Sequence, residues 1–302
     1  LPHEVGGMTV NRFCGSSMQA VHIAAAQIEA GMGEAFLCVG VESMSMVPQG
    51  GFNFSPSPEL LADTDAYISM GETAENVAQR WNVSRADQEA LAVESHRKAA
   101  AAREQGRLAG EIVPVRLASG DLVEADGCIR PTTSAEALAN LKPAFRPDGV
   151  VTAGTSSPLT DGAAAVLVTS DAFAERHGLK ALARIRSFAT VGVDPAIMGI
   201  GPIPATRKAL ARAGLSVADL DVVEINEAFS SQALACIRDL GLDPATVNLD
   251  GGGLSIGHPL GATGARITGK AASLLARENG RYALATQCIG GGQGIATILE
   301  RV

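Results

Sequence analysis

One pattern occurs twice in this chain, and the repetition limits what it can fold into. Near the start, Cys14-Gly15-Ser16-Ser17 leads into a helical stretch with Val21, Ala24, Ala25 and Ile28 on one face, a stop at Gly31 and a strand over 35–39. Near the end, His258-Pro259-Leu260-Gly261 leads into a helical stretch carrying Ile267, Ala271, Leu274 and Leu275, a stop at Gly280 and a strand over 282–286. A duplicated loop–helix–strand unit implies two similar halves, and alternating helices and strands place them in the α/β class. The late copy follows a strand over 183–188, a helix after Pro204 ending at Gly214, a strand over 222–225, and a helix from Glu227 to about Leu240. His258 lies 75 residues beyond Ala183, whereas 13 residues precede Cys14. By that symmetry a lead-in of about 60 residues is expected ahead of the first copy.

Between the two units the character changes to proline-interrupted loops and polar helices. Gly50-Gly51-Phe52-Asn53-Phe54-Ser55-Pro56 reads as an exposed loop, and Ser84 with Asp87 resembles a capping box for a helix to about Gln105. The apolar run 163–168 reads as a buried strand, and Ser170 as the cap of a short helix ending at Gly178. The expected division is an incomplete first half made of 1–43 with 159–180, an inserted loop domain over 44–158, and a second half over 181–302.

Composition removes several function classes. With 46% apolar and 19% charged residues the chain can bury a large core. A net charge of −8 disfavours nucleic acid and anionic membrane as partners. Cysteines 14, 38, 128, 236 and 288 are odd in number with no paired spacing, so neither a disulfide framework nor a zinc site is expected; a reducing compartment, the cytoplasm, is. No apolar run approaches a membrane span, and the first residues do not form a signal peptide. Gly264–Lys270 fits most of a phosphate-binding loop, yet Ala271 replaces the hydroxyl residue and the segment reads as helix interior.

Three positions carry chemistry. Cys14 opens a helix, where unpaired amides and the positive end of the macrodipole ease ionisation of a thiol. His258 is held between glycine and proline, and Cys288 ends a strand ahead of Gly290, Gly291 and Gly292, whose backbone amides are free to approach a ligand. Asn226, after the strand over 222–225, is either an ordinary helix cap or a side chain that fixes a water or carbonyl oxygen at the carboxyl end of a buried strand.

Asn11-Arg12-Phe13-Cys14-Gly15-Ser16-Ser17, Asn226-Glu227-Ala228-Phe229, Gly257-His258-Pro259-Leu260-Gly261 and Cys288-Ile289-Gly290-Gly291-Gly292 resemble, in order, the four active-site motifs of the thiolases. The resemblance covers essentially the whole chain. It implies the thiolase fold, two similar βαβαβαββ halves stacked as αβαβα layers with an inserted loop domain, the N-terminal part of the first half being absent from this chain. It also implies that Cys14 attacks a 3-ketoacyl-CoA, that His258 takes the thiol proton, and that Cys288 is the second acid and base. One oxyanion hole would come from His258 and a water on Asn226, a second from the amides of Cys14 and Gly290.

By the same resemblance, Ser157 would meet the pantetheine arm of coenzyme A and Arg130 its adenine end, with Met70, Phe145 and Phe229 as apolar walls. Coenzyme A is then a substrate, with no tightly bound cofactor and no metal. Thiolases specialised for acetoacetyl-CoA have a histidine where this chain has Ser69, so the resemblance points to the degradative 3-ketoacyl-CoA thiolases of fatty-acid β-oxidation. It implies a homodimer or tetramer, in some relatives joined to a hydratase/dehydrogenase subunit. The alternatives are a biosynthetic acetoacetyl-CoA thiolase and a non-catalytic acyl-CoA-binding subunit; a ketoacyl synthase would carry a second histidine where Cys288 stands.

Overall fold

All four residues of Val222–Ile225 are buried, as expected of a short strand covered on both faces. The structure, a computed structural model describing residues 1–302, builds the fold around such strands. In chain order the elements are α1 (Ser16–Glu29), β1 (Ala35–Ser43), α2 (Pro58–Asp63), α3 (Met70–Arg80), α4 (Arg85–Glu104), β2 (Val115–Arg116) and β3 (Leu122–Val123). There follow α5 (Ala135–Ala139), β4 (Asp161–Thr169), α6 (Asp171–Arg176), β5 (Arg184–Gly192), α7 (Pro202–Ala213), β6 (Val222–Ile225) and α8 (Ser230–Leu240). Last come α9 (Gly253–Ile256), α10 (Leu260–Arg277), β7 (Tyr282–Ile289) and β8 (Gln293–Glu300).

The main sheet has the order β5-β8-β7-β6, with β6 and β7 parallel and the other pairs antiparallel. A single parallel bridge from Val247 to Val223 adds the trace of a further strand beyond β6. Read with that bridge, the chain from β5 onward runs βαβαβαββ. Helices α7 and α8 cover one face through Ile203, Leu210, Cys236 and Ile237, packed on Val223, Ile225, Leu284 and Ile298. Helix α10 covers the other through Ile267, Leu274 and Leu275, packed on Val222, Ala283, Ala285 and Ile295. Each of those large side chains contributes about 1.5–3 kcal/mol by leaving water.

Helix α1 lies beside α10 in the same layer, and beyond them β1 pairs antiparallel with β4, from Ala35↔Thr169 to Ser43↔Asp161. The inner face of this pair packs Cys38 and Val166 toward α1. No element of residues 1–302 covers the outer face, where Leu37, Val39, Val41 and Leu167 are exposed. Residues 44–160 leave from the end of β1 and return at the start of β4, carrying α2 to α5. No helix is long and apolar enough to cross a membrane.

Caps explain several helix boundaries. Ser84 accepts the Asp87 amide at 3.1 Å, Ser170 accepts that of Phe173 at 3.1 Å, and α7 opens on Pro202 and closes on left-handed Gly214. One boundary differs from expectation: α8 begins at Ser230, with Phe229 and not Asn226 at its cap. The pairing of β6 with β7 continues past the strand, the Asn226 amide donating to the Thr286 carbonyl at 3.0 Å, and Phe229 is held extended by a bridge to Ser156. Tertiary pairing thus keeps 226–229 out of the helix and rules out the ordinary cap as the role of Asn226.

Candidate active site

The turn before α1 is tied down at every residue. The Phe13 amide donates to the Asn11 side chain at 2.9 Å, Ser16 Oγ donates to the Phe13 carbonyl at 2.7 Å, and the Arg12 amide donates to Ser16 Oγ at 2.9 Å. These bonds hold Phe13 at a φ of 46°, a left-handed conformation that a bulky side chain adopts only under such constraint. Two glutamines from the other half finish the clamp: Arg12 donates to Gln293 at 2.6 Å, and Gln287 donates to the carbonyl of Cys14 itself.

Cys14 is half-buried, and the amide of Gly290 points at its thiol. Burial pushes the thiol up to about 11; the amides of Gly290 and Cys14 pull it down, while the Glu42 carboxylate adds to the rise. The helix start therefore does not yield a preformed thiolate. Its ionising effect is smaller than the desolvation cost of a charged sulfur, and Cys14 stands two residues ahead of the first helical position.

Cys288 lies near the end of β7, fully enclosed among Ala74, Val151, Met198, Ala228 and Phe229, with Met70 against them. Burial lifts its thiol well above the usual range, with the neighbouring sulfurs of Cys14 and Cys236 contributing. Gly290 follows two residues later, under Met70: a Cβ on Gly290 would stand 3.3 Å from Met70 Sδ.

His258 is aimed by its neighbours. Gly257 has a φ of 104°, which only glycine adopts freely, and the His258 amide donates to Thr160 Oγ1 at 3.2 Å. On the ring, Nδ1 meets Thr263 Oγ1 at 2.6 Å and Nε2 meets Asn226 Nδ2 at 3.3 Å. Burial, reinforced by the positive charge of Arg266, holds the imidazole down at about 3, so it is neutral at physiological pH. Asn226 Oδ1 is buried without a partner.

The histidine and the first cysteine are brought together by the helices they precede. The Ala265 amide donates to Ser17 Oγ at 2.8 Å, Glu42 accepts the Gly261 amide at 3.1 Å, and a Cβ on Gly264 would overlap the backbone of Met18. Small residues let the first turns of α1 and α10 touch, so Cys14 and His258 stand two residues ahead of adjoining helix starts.

Beneath Asn226 lies a buried network. Glu227 Oε2 accepts from Ser95 Oγ at 2.6 Å and from the Leu254 amide at 3.3 Å, and Oε1 accepts from Asn248 Nδ2 at 2.7 Å. Asn248 also pairs with both backbone groups of Ile225, each at 2.9 Å. The carboxyl of Glu227 is raised by burial and held back by these donors.

The remaining sequence candidates separate into two places. Phe145 packs flat on Gly71 and meets Phe229 edge-to-face at 6.0 Å, so Met70, Phe145 and Phe229 line one apolar surface beside Cys288. The Ser157 amide donates to the Ala228 carbonyl at 3.0 Å, which sets Ser157 next to that surface. Arg130 is exposed elsewhere, its amide bonded to His96 on α4 at 3.1 Å. Sequence reasoning did not single out Thr263, Gln287, Asn248 or Gln293, whose only signal is their nearness to the motifs along the chain. A protonated thiol facing an amide, a neutral imidazole and a second enclosed thiol are suited to acyl transfer through a thioester.

The chain is similar to known proteins over its whole length. The family model described as "Thiolase, N-terminal domain" matches residues 1–172, and "Thiolase, C-terminal domain" matches 179–301. A 3-ketoacyl-CoA thiolase from Shewanella denitrificans is 51% identical over an alignment covering all of this chain and 80% of that protein. An acetyl-CoA acetyltransferase from Paracoccus denitrificans is 48% identical, covering all of this chain and 81% of that protein. The crystal structure of human mitochondrial 3-ketoacyl-CoA thiolase in complex with CoA superposes with a TM-score of 0.91 at 39% identity, covering all of this chain and 79% of that one.

Proposed function

The chain belongs to the thiolase family, and from that premise we propose that it cleaves 3-ketoacyl-CoA with coenzyme A, giving acetyl-CoA and an acyl-CoA shortened by two carbons, as in fatty-acid β-oxidation. The observation that carries the reading is that the first turns of α1 and α10, which follow Cys14 and His258, adjoin, while Gln287, the residue before the enclosed Cys288, donates to the Cys14 carbonyl. Cys14 passes its proton to neutral His258, and the thiolate adds to the 3-keto carbon. The bond between C2 and C3 breaks, the acyl group stays on Cys14, and the departing carbanion takes the Cys288 proton to become acetyl-CoA. Coenzyme A then gives its thiol proton to Cys288 and attacks the acyl-enzyme, and His258 returns its proton to Cys14.

In this reading the amides of Cys14 and Gly290 stabilise one oxyanion, and His258 with a water on Asn226 stabilises the other. Asn226 Oδ1, buried and unpartnered, is suited to hold that water. Met70, Phe145, Phe229 and Ser157 guide the acyl and pantetheine arms, and Arg130 approaches the nucleotide end. Coenzyme A is the substrate and no tightly bound cofactor is required. The loop domain over 44–158 binds it between the two halves, 1–43 with 159–180 and 181–302. The protein works in the cytoplasm as a homodimer or tetramer, and a hydratase/dehydrogenase subunit is a fitting partner.

Ser69 supports the degradative subtype. Its hydroxyl caps α3, accepting the Glu72 amide at 3.3 Å, and supplies no imidazole beside Met70. The test is coenzyme A-dependent cleavage of acetoacetyl-CoA against medium- and long-chain 3-ketoacyl-CoA, with Cys14→Ala as control. Faster cleavage of the longer substrates, abolished by the substitution, is expected. Activity confined to acetoacetyl-CoA would move the protein to the biosynthetic subtype, and no cleavage at all would leave an acyl-CoA-binding subunit.

A further inference from the structure

Thr263 is fully buried in the first turn of α10, five residues after His258. Its Oγ1 lies 2.6 Å from His258 Nδ1 and 3.2 Å from the Pro259 carbonyl. A hydroxyl has one proton to give, and the carbonyl can only accept. The Pro259 carbonyl already accepts the Ala262 amide at 2.8 Å and the Thr263 amide at 3.1 Å; the Thr263 hydroxyl, donating back to it as first-turn hydroxyls do, leaves an Oγ1 lone pair for a proton on Nδ1. On the opposite edge of the ring, Asn226 Nδ2 stands 3.3 Å from Nε2, and with the amide in this orientation Nε2 offers its lone pair there. One tautomer, with the proton on Nδ1, fits the contacts at both edges of the imidazole.

We propose that Thr263 is a positioning residue that keeps the ring proton of His258 on Nδ1, so that Nε2 remains the bare nitrogen that receives the proton of Cys14. The inference rests on the thiolytic reading for its consequence, but the tautomer is a property of the resting protein. When Nε2 accepts a proton, the positive ring still donates from Nδ1 to Thr263, and the relay to Pro259 needs no rearrangement. Without the hydroxyl, Nδ1 loses the acceptor that holds its proton. Neither ring nitrogen then holds the proton by a hydrogen bond, so the preference for Nδ1 is lost and the Nε2-protonated form, in which the base is blocked, gains population.

Three readouts test the proposal on wild type, Thr263→Val and Thr263→Ser. Long-range proton–nitrogen NMR of histidine-labelled protein, with His258 assigned by its loss in His258→Asn, should show a protonated Nδ1 in wild type and Thr263→Ser. Thr263→Val should shift the proton toward Nε2. Iodoacetamide alkylation of Cys14 should slow in Thr263→Val only, which reads proton acceptance without turnover. In thiolysis, Thr263→Val should lower kcat about ten- to hundredfold, while Thr263→Ser stays within about threefold of wild type and KM is nearly unchanged in both. Wild-type His258 protonated on Nε2, or a Thr263→Val protein with the wild-type tautomer and wild-type alkylation, would overturn the proposal. A wild type with the Nδ1 proton that cleaves no 3-ketoacyl-CoA overturns the thiolytic reading and supports the tautomer assignment.

Discussion

Cys14 and His258 both rest uncharged, for one reason. Burial lifts the thiol to about 11 and lowers the imidazole to about 3, so at neutral pH the proton stays on sulfur until a substrate is present. The pair is thus activated on demand, unlike a thiolate–imidazolium ion pair formed in advance. Alkylation of Cys14 by iodoacetamide should therefore keep rising from about pH 7 to about pH 10, where an ordinary thiol with a pKa of about 8.5 has already levelled off. A plateau at or below neutral pH would show that the thiolate is preformed. The motif carrying Cys14 was legible in the sequence, but its resting charge was not. Helix-start electrostatics can be read locally, whereas the resting charge depends first on burial by the packed fold and then on the Gly290 amide and the Glu42 carboxylate.

The crossing of α1 and α10 decides whether the site assembles. A Cβ on Gly264 would overlap Met18 N and lie 2.7 Å from its Cβ, and backbone cannot swing aside as a flexible side-chain end can. Gly264→Ala should cost about 1–3 kcal/mol in urea denaturation and reduce thiolysis more than Ala265→Gly, which adds no atom to the contact. The duplicated unit made both helices and the strands after them legible, because periodicity and glycine stops are local signals. The start of α8 was misplaced because β7 and Ser156 hold 226–229 extended, a competition invisible along the chain. The partners of the site escaped for the same reason. Gln287 reaches back to the carbonyl of Cys14, and Asn248 braces Ile225 and Glu227 from outside any motif.

Across the whole molecule, buried histidines and buried carboxyls pull the response to acid in opposite directions. His22, stacked on Phe188 at 4.4 Å and bonded to Thr297 at 2.8 Å, is held down by burial at about 3, as His258 is. A histidine with its folded pKa below its unfolded value binds protons mainly when unfolded, so stability falls as pH drops below about 6.5. His22 contributes a loss of about 1–1.5 kcal/mol between about pH 7.5 and about pH 5.5, so the change in stability between the two pH values, read in denaturant titrations, should differ by about that amount between wild type and His22→Gln. Glu224 acts in the opposite direction. Burial lifts its carboxyl to about 8, so its contribution is present below the unfolded carboxylate pKa and is lost as pH rises through about 8. Equal slopes in wild type and His22→Gln would exclude His22 from the acid response. The crossing at Ser17 and Gly264 also bears on how such a chain can change over evolutionary time. Nucleophile and base come from two units of one pattern, yet a substitution where the units touch alters both at once, so neither unit is free to vary at Ser17 or Gly264 independently of the other.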